Sequence, residues 1–317
     1  MRLSNFHTHC YLCDGQGTPK QYFNAAISQK LCTLGFSSHA PLPFDTSWTM
    51  DELRLQKYLK EIRELKDRKK FFQKDNKKDN KDNNIGHIDR EKYTDKNTDI
   101  DFYAETDIDI KIGLEIDYIS GVTAPSDKKW RELDLDYCIG SVHFLGLYSN
   151  DGSEYWTVDG PDEMLDKGIR ENFGGDNRGM VELYYRLLAE MAQLGGFDFV
   201  GHFDLVKKNN ANSKYFDENA GWYKKAATET LEVIAAKGLM LEVNTGGISR
   251  GYTKDFYPSV DLLKICKKLG IRIVLNSDAH MPEWITAFFP QALDAIREAG
   301  YRELYALGKN GWEETLI

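Results

Sequence analysis

The chain has 317 residues, 41% of them hydrophobic and 29% charged, which excludes a disordered protein and is enough to bury a core without disulfides. Its 41 Lys and Arg against 50 Asp and Glu give a net charge of −9, the wrong sign for a protein that lives on the phosphates of long nucleic acids. No run approaches the ~18 apolar residues of a membrane span, and the N-terminus lacks the apolar region of a signal peptide, so a cytoplasmic protein with no membrane partner is expected.

In chain order, short apolar runs alternate with helical patterns. Leu3–Phe6 predicts a first strand. Pro19–Leu31 predicts a helix, because Thr18 is a good N-cap and Pro suits the first helical position. Leu34–Ser38 is a second strand, and Asp51–Lys66 a helix with Leu53, Tyr58, Leu59, Ile62 and Leu65 as its apolar face. Residues 73–84 contain only Gln, Lys, Asp and Asn and cannot bury enough apolar surface to offset the entropy of ordering. About 68–100 is therefore expected to be a polar insertion into a single domain spanning 1–317, as a solvated loop or an extension of the preceding helix, with His87 a bystander.

Beyond it, Ile108, Ile110, Ile112, Leu114 and Ile116 repeat with period two, as in a half-buried strand. Tyr137–Val142, Phe197–Gly201, Leu239–Val243 and Ile271–Asn276 are further strands. The nearly continuous apolar runs GLMLEVNT and GIRIVLNS suit a parallel sheet covered on both faces. Val181–Leu194, Trp222–Ala236 and Ser259–Leu269 read as helices, with Gly238 and Gly270 where C-caps belong. Seven strands interleaved with helices predict an α/β fold, most economically a closed barrel.

Six of the seven histidines fall at or just beyond the C-terminal ends of these strands: His7, His9, His39, His143, His202 and His280. Asp14, Glu115 and Asp278 occupy the same kind of position. In α/β barrels those ends converge on one mouth, where so many histidines and carboxylates would repel their own kind unless cations neutralised them. Imidazole and carboxylate are ligands for Zn, Mn and Fe, and a carboxylate can bridge two ions. In His7-Thr8-His9 alternate residues of an extended chain point the same way, so both rings reach one ion.

Cys10 and Cys13 form a CxxC beside this motif. A thiolate metal site or a redox pair is one reading. With no second CxxC and an odd total of five cysteines, reduced free thiols are expected.

At these residues the chain resembles the PHP (polymerase and histidinol phosphatase) family of metal-dependent phosphoesterases. The blocks that carry the likeness are FHTHCYLCDG (6–15), GFSSHAPLPF (35–44), GLEIDYISG (113–121), IGSVHF (139–144), GHFDLVKK (201–208), LEVNTGGISRGYTKDFYPS (241–259) and NSDAH (276–280). They span almost the whole chain outside 68–100, and SSHAPLPF, GLEIDY and YPS point to the histidinol-phosphatase branch. The resemblance implies a distorted (β/α)7 barrel with its metal site at the C-terminal strand ends. It implies three divalent ions: one on His7, His9, Glu115 and Asp278; a second on Glu115, His143 and His202; a third on Asp14, His39 and His280. Asp14 is His in some relatives, which would shift metal preference without abolishing binding.

Two ions joined by a carboxylate share a water and acidify it enough to supply hydroxide near neutral pH. A third can hold a phosphoryl oxygen. Three divalent ions outweigh Asp14, Glu115 and Asp278, leaving a positive mouth inside a chain of −9, which draws in a small phosphate monoester. Glu115, Asp278 and His280 are thus the candidate catalytic residues. Arg250, Lys207 and Lys208 are candidate phosphate ligands, with Arg178 a lesser one, and Gly246-Gly247 would let backbone N–H groups approach the phosphate. Tyr118 and Trp48 could flank an imidazole or aminopropyl group, and Asp45 could meet an ammonium.

The expected reaction is hydrolysis of L-histidinol phosphate to L-histidinol and phosphate. Three alternatives stand beside it. A phosphoesterase of nucleotides or short nucleic acids would need a basic track beside the mouth. A two-metal amidohydrolase would leave Asp14, His39 and His280 without a task. A non-catalytic metal-binding module would not require nine ligand-type residues.

Overall fold

The computed structural model describes residues 3–79, 107–147 and 154–317. All seven expected strands form within two residues of the apolar runs: β1 (Ser4–Asn5), β2 (Thr33–Phe36), β3 (Asp109–Asp117), β4 (Tyr137–Ser141) and, after a short antiparallel pair β5 (Phe144–Leu147) and β6 (Tyr155–Thr157), β7 (Phe199–Val200), β8 (Met240–Asn244) and β9 (Ile273–Asn276). They make one parallel seven-stranded sheet in the order β1-β2-β3-β4-β7-β8-β9.

β1 and β9 share no regular ladder, and the gap between them is where the barrel is distorted. It is spanned just beyond the strands, where Thr8 bridges Ala279 in parallel fashion. The His9 N–H donates to the Ala279 carbonyl (2.9 Å) and the Ala279 N–H to that of His7 (3.2 Å). Side chains complete the seam: Asn5 Nδ2 donates to Ser277 Oγ (2.6 Å) and the Phe6 N–H to Asn276 Oδ1 (2.8 Å). The first and last motifs of the sequence are thereby sewn to each other.

Nine helices are seen among the described residues: α1 (Pro19–Ser28), α2 (Glu52–Asp79), α3 (Lys128–Arg131), α4 (Asp162–Phe173), α5 (Asn177–Leu194), α6 (Gly221–Ala236), α7 (Gly246–Ser249), α8 (Val260–Lys268) and α9 (Phe289–Glu298). Helix α1 starts as its sequence predicts, with a capping box between Thr18 and Gln21 and Pro19 in the first turn. In α2 the apolar face is corrected at one position: Leu53 is 82% exposed, and Leu55 instead joins Tyr58, Leu59, Ile62 and Leu65 in the core. This helix continues to Asp79, into the polar stretch. The remainder of that stretch from residue 80, His87 included, lies outside the described residues.

Strand β3 departs from expectation in an instructive way. Its isoleucine face packs against the outer helical layer, as a half-buried strand should, yet the other face is buried too: Lys111, Glu115 and Asp117 are each less than a tenth exposed. The alternate residues point into the barrel, not into water. The lower barrel is filled by Phe6, Tyr137, Ile139, Phe199, Met240 and Val274. Tyr137 passes so close to Gly113 that a Cβ there would come within 2.5 Å of its ring. A C-terminal antiparallel hairpin, β10 (Glu303–Leu307) and β11 (Trp312–Leu316), which the sequence reading does not include, packs Leu307 and Trp312 against this filling.

Candidate metal centre

The upper barrel is polar, and there the chain brings its six rim histidines together. Glu115, on the inward face of β3, is the hub. Its Oε2 lies 3.0 Å from His39 Nδ1, 3.2 Å from His7 Nε2 and 3.4 Å from His9 Nε2. Its Oε1 lies 2.8 Å from His202 Nε2 and 3.6 Å from His143 Nε2, and accepts from Ser141 Oγ at 2.6 Å. Asp278 reaches His9 Nε2 at 3.2 Å and His7 Nε2 at 3.7 Å. Its φ of 50° is left-handed, a conformation that costs a non-glycine residue about 1–3 kcal/mol and persists where surrounding structure demands it. Asp14 meets His280 Nε2 at 3.1 Å and stands 3.8 Å from both His9 Nδ1 and His39 Nε2.

The donor atoms fall into four groups compact enough to hold an ion: His9, Asp14, His39 and His280; His7, His9 and Asp278; His7, Glu115 and His202; and His39, Asp117 and His143. These groups share members, as a polynuclear site requires. His7 Nε2, His9 Nε2, His39 Nδ1 and Glu115 Oε2 are buried with no hydrogen-bond partner. An unpaired buried polar atom is costly, and four of them aimed at one another form a donor set that divalent cations fit.

Two carboxylates missed by the sequence reading stand behind the histidines. Glu242, completely buried on β8, accepts from His7 Nδ1 (2.9 Å), the His202 N–H (2.6 Å), Asn244 Nδ2 (2.8 Å) and Asn276 Nδ2 (2.9 Å). Asp117 lies 2.7 Å from His143 Nδ1. Each holds the outer ring nitrogen as the donor and leaves the inner one facing Glu115, the usual support for a metal-binding histidine. Their signal in the sequence is a charged residue in an apolar strand, for Asp117 one standing two positions from Glu115. They also reduce the positive excess expected of the mouth.

Packed this closely, the histidines and carboxylates shift one another in both directions. Burial disfavours protonated His39 and His143, yet Glu115 beside the one and Asp117 beside the other raise them to about 9 and about 10. Burial likewise opposes charge on Glu115 and Asp278, but His39 and Arg250 respectively hold them well below the usual carboxylate range. His9 goes the other way, to about 3, through burial and then the neighbouring His280 and His39.

Above the cluster opens a cavity of about 200 Å³, whose wall includes His39, Glu115, Asp159, Lys208, Arg250 and Tyr252. Arg250 follows α7 and spans Asp278 Oδ2 (2.8 Å), the Asp278 carbonyl (2.9 Å) and His280 Nδ1 (2.8 Å). Gly246 makes this possible, because a Cβ there would stand 2.9 Å from both Arg250 Nη2 and Asp278 Oδ2. The expected approach of its N–H to a phosphate is corrected: that N–H donates to Asn244 Oδ1 at 2.7 Å.

Other substrate candidates separate. Lys208 lines the cavity and donates to Asp159 Oδ1 at 2.7 Å. Lys207 does not line it; its Nζ is buried against Asp204 (2.8 Å) and the Phe256 carbonyl (2.7 Å). Tyr118 is also absent from the wall, its hydroxyl donating to Glu190 at 3.1 Å. Neither side chain reaches this cavity wall: Tyr118 directly follows β3, while Lys207 ends a 3-10 turn seven residues past β7, and spacing alone does not say whether such residues turn inward or outward. Arg178 pairs with Glu182 along α5, and Asp45 is exposed and outside the wall. Trp48 packs beside the centre, its ring 5.8 Å from that of His143 and 6.2 Å from that of His39. All five cysteines are free thiols.

Fold and site together define a metal-binding α/β barrel of seven parallel strands. Residues 5–246 match the PHP domain model, and the chain belongs to that family. It is 30% identical over 303 residues, 95% of each chain, to a protein of Deinococcus radiodurans described as "Probable histidinol-phosphatase". It is 26% identical to the histidinol-phosphatase of Bacillus subtilis, over 88% of this chain and 94% of that one. Among solved structures it resembles histidinol phosphate phosphatase from Lactococcus lactis, complexed with Zn, L-histidinol and phosphate, with a TM-score of 0.64, 21% identity, and coverage of 98% of this chain and 99% of the other. That likeness establishes the (β/α)7 fold.

Proposed function

We propose that this chain hydrolyses L-histidinol phosphate to L-histidinol and inorganic phosphate, using three divalent ions drawn from Zn, Mn and Fe. The observation that carries the reading is Glu115 Oε2, unpartnered and buried, within 3.4 Å of nitrogens from three separate histidines. The relative covering 95% of both chains supports the substrate.

The ligand roles proposed are His7, His9, Glu115 and Asp278 for one ion, Glu115, His143 and His202 for a second, and Asp14, His39 and His280 for a third. The compact groups support the sharing of Glu115 and also draw His9 toward the third set and Asp117 toward His143. Bound there, divalent ions would act as Lewis acids, lowering the pKa of water and stabilising phosphoryl charge. The chain's own residues do the positioning. Glu242 and Asp117 fix the tautomers of His7 and His143. Arg250 orients Asp278 and His280 while its guanidinium borders the cavity, where an N–H left over can meet a phosphate oxygen. Lys208 supplies a second cation to the wall.

The polar insertion is proposed to interrupt one domain without dividing it. Five free thiols support a cytoplasmic setting. Among the described residues no helix is long and apolar enough to cross a membrane. Steady-state assays with divalent metal on L-histidinol phosphate, nucleotides, sugar phosphates and short oligonucleotides test the assignment. Preference for L-histidinol phosphate by at least about 100-fold in kcat/KM, near 2.7 kcal/mol, is expected; indifference among the substrates would overturn it.

A further inference from the structure

Resting on the histidinol phosphate reading, one wall residue has a task that metal binding does not explain. Four carboxylates line the cavity: Asp14, Glu115, Asp159 and Asp278. Three belong to the compact ligand groups, and Asp159 belongs to none of them. It sits between β6 and α4, 27% exposed, with its N–H tied to Thr157 Oγ1 at 3.0 Å. Lys208 donates to its Oδ1 at 2.7 Å and to its backbone carbonyl at 2.5 Å, and lies 4.4 Å above the Tyr252 ring. Among the described residues, no hydrogen bond occupies Asp159 Oδ2.

We infer that Asp159 recognises the substrate's ammonium ion and sets the preference for phosphate esters that carry one. In L-histidinol phosphate the ammonium and the phosphoester oxygen are on adjacent carbons. A group that binds the first must therefore line the same cavity that binds the second, which Asp159 does and exposed Asp45 does not. The pair with Lys208 gives the discrimination its sign. A substrate with both charges places its phosphate toward Lys208 and Arg250 and its ammonium on Asp159, so every charge in the wall keeps a partner. A phosphate ester without the ammonium competes with Asp159 for Lys208 and leaves a carboxylate facing its own negative charge. A site built to pair with a polar group rejects the analogue that lacks it far more strongly than an apolar pocket rejects a missing methylene.

The test compares L-histidinol phosphate with its deamino analogue, 3-(imidazol-4-yl)propyl phosphate, as the ratio of their kcat/KM values. Asp159→Asn should lower that ratio at least about 30-fold, whereas Asp159→Glu, which keeps the charge, should preserve most of it. Lys208→Met should slow both esters and leave the ratio within about threefold. If Asp159 only anchors Lys208, Asp159→Asn will slow both esters together, and the inference falls. Should that variant fail to fold, the wild type still decides: L-histidinol must inhibit more tightly than its deamino counterpart, and equal inhibition overturns the ammonium contact. A wild type inactive on L-histidinol phosphate but active on other monoesters would overturn the functional reading as well, and is thereby distinguished from failure of this contact alone.

Discussion

Residues at this centre act in two layers, and the outer one makes the inner one usable. A free imidazole offers either nitrogen, but His7 and His143 are each committed by a carboxylate on the outer nitrogen. Glu242→Gln should weaken divalent-metal affinity by about 10–100-fold, measured by competition with a chromophoric chelator; unchanged affinity would reduce Glu242 to a packing role. The inner layer was legible in the sequence because most of its ligands stand a few residues past the end of an apolar run, with Glu115 inside one. The outer layer is not legible, because Glu242 inside β8 and Asp117 at the end of β3 are single charges in a strand, which do not announce whether they meet solvent or a histidine. Asp159 gave no signal at all, lying in a loop whose course only the tertiary structure fixes. The neighbouring thiols are a separate matter. Burial, then Asp14, pushes Cys13 well above the ordinary thiol range, and burial raises Cys10. A raised pKa keeps a thiol protonated to higher pH, so both should alkylate slowly with iodoacetamide at pH 8 in the native protein and rapidly once unfolded. Fast native labelling of Cys13 would contradict this and revive a reactive CxxC.

Among the elements, β3 shows what periodicity can and cannot say. Alternation located the strand and the face that meets the helices, because aliphatic side chains behave alike in any strand. The other face reads as polar whether it meets water or the lumen of a barrel, and burial of Lys111, Glu115 and Asp117 is a property of closure by other strands. The register of a strand sets its faces, while neither Lys207 nor Tyr118 is inside a strand, so no such rule aimed them. Helix α2 poses the converse case, a polar run that prolongs a helix through residue 79. Its amphipathic part already supplies the core contacts of Leu55 to Leu65. Deletion of residues 74–84 should therefore leave kcat/KM for L-histidinol phosphate within about threefold, as read in the steady-state assay. A loss above tenfold would mean that the polar stretch serves the site.

At the scale of the whole molecule, the barrel has a dry end and a wet end, and each depends on the other only through the shared strands. Phe6, Tyr137 and Phe199 fill the lower end, closed by Trp312, whose ring is 5.1 Å from that of Phe6 and whose Nε1 donates to Asp198 at 2.8 Å. Trp312→Ala should cost about 3 kcal/mol of stability and lower the melting temperature, while folded protein retains its kcat; a fall in kcat at unchanged melting temperature would show coupling between the two ends. The upper end gathers ligands from strands far apart in sequence, and the seam between His7–His9 and Ala279 brings the first and last together. Its function turns on cations filling that polar end. The most direct measurement follows inorganic phosphate release from L-histidinol phosphate before and after removal and return of metal. The account predicts that chelation abolishes turnover and that Zn, Mn or Fe restores it. Metal-free protein that releases phosphate at the same rate would contradict it.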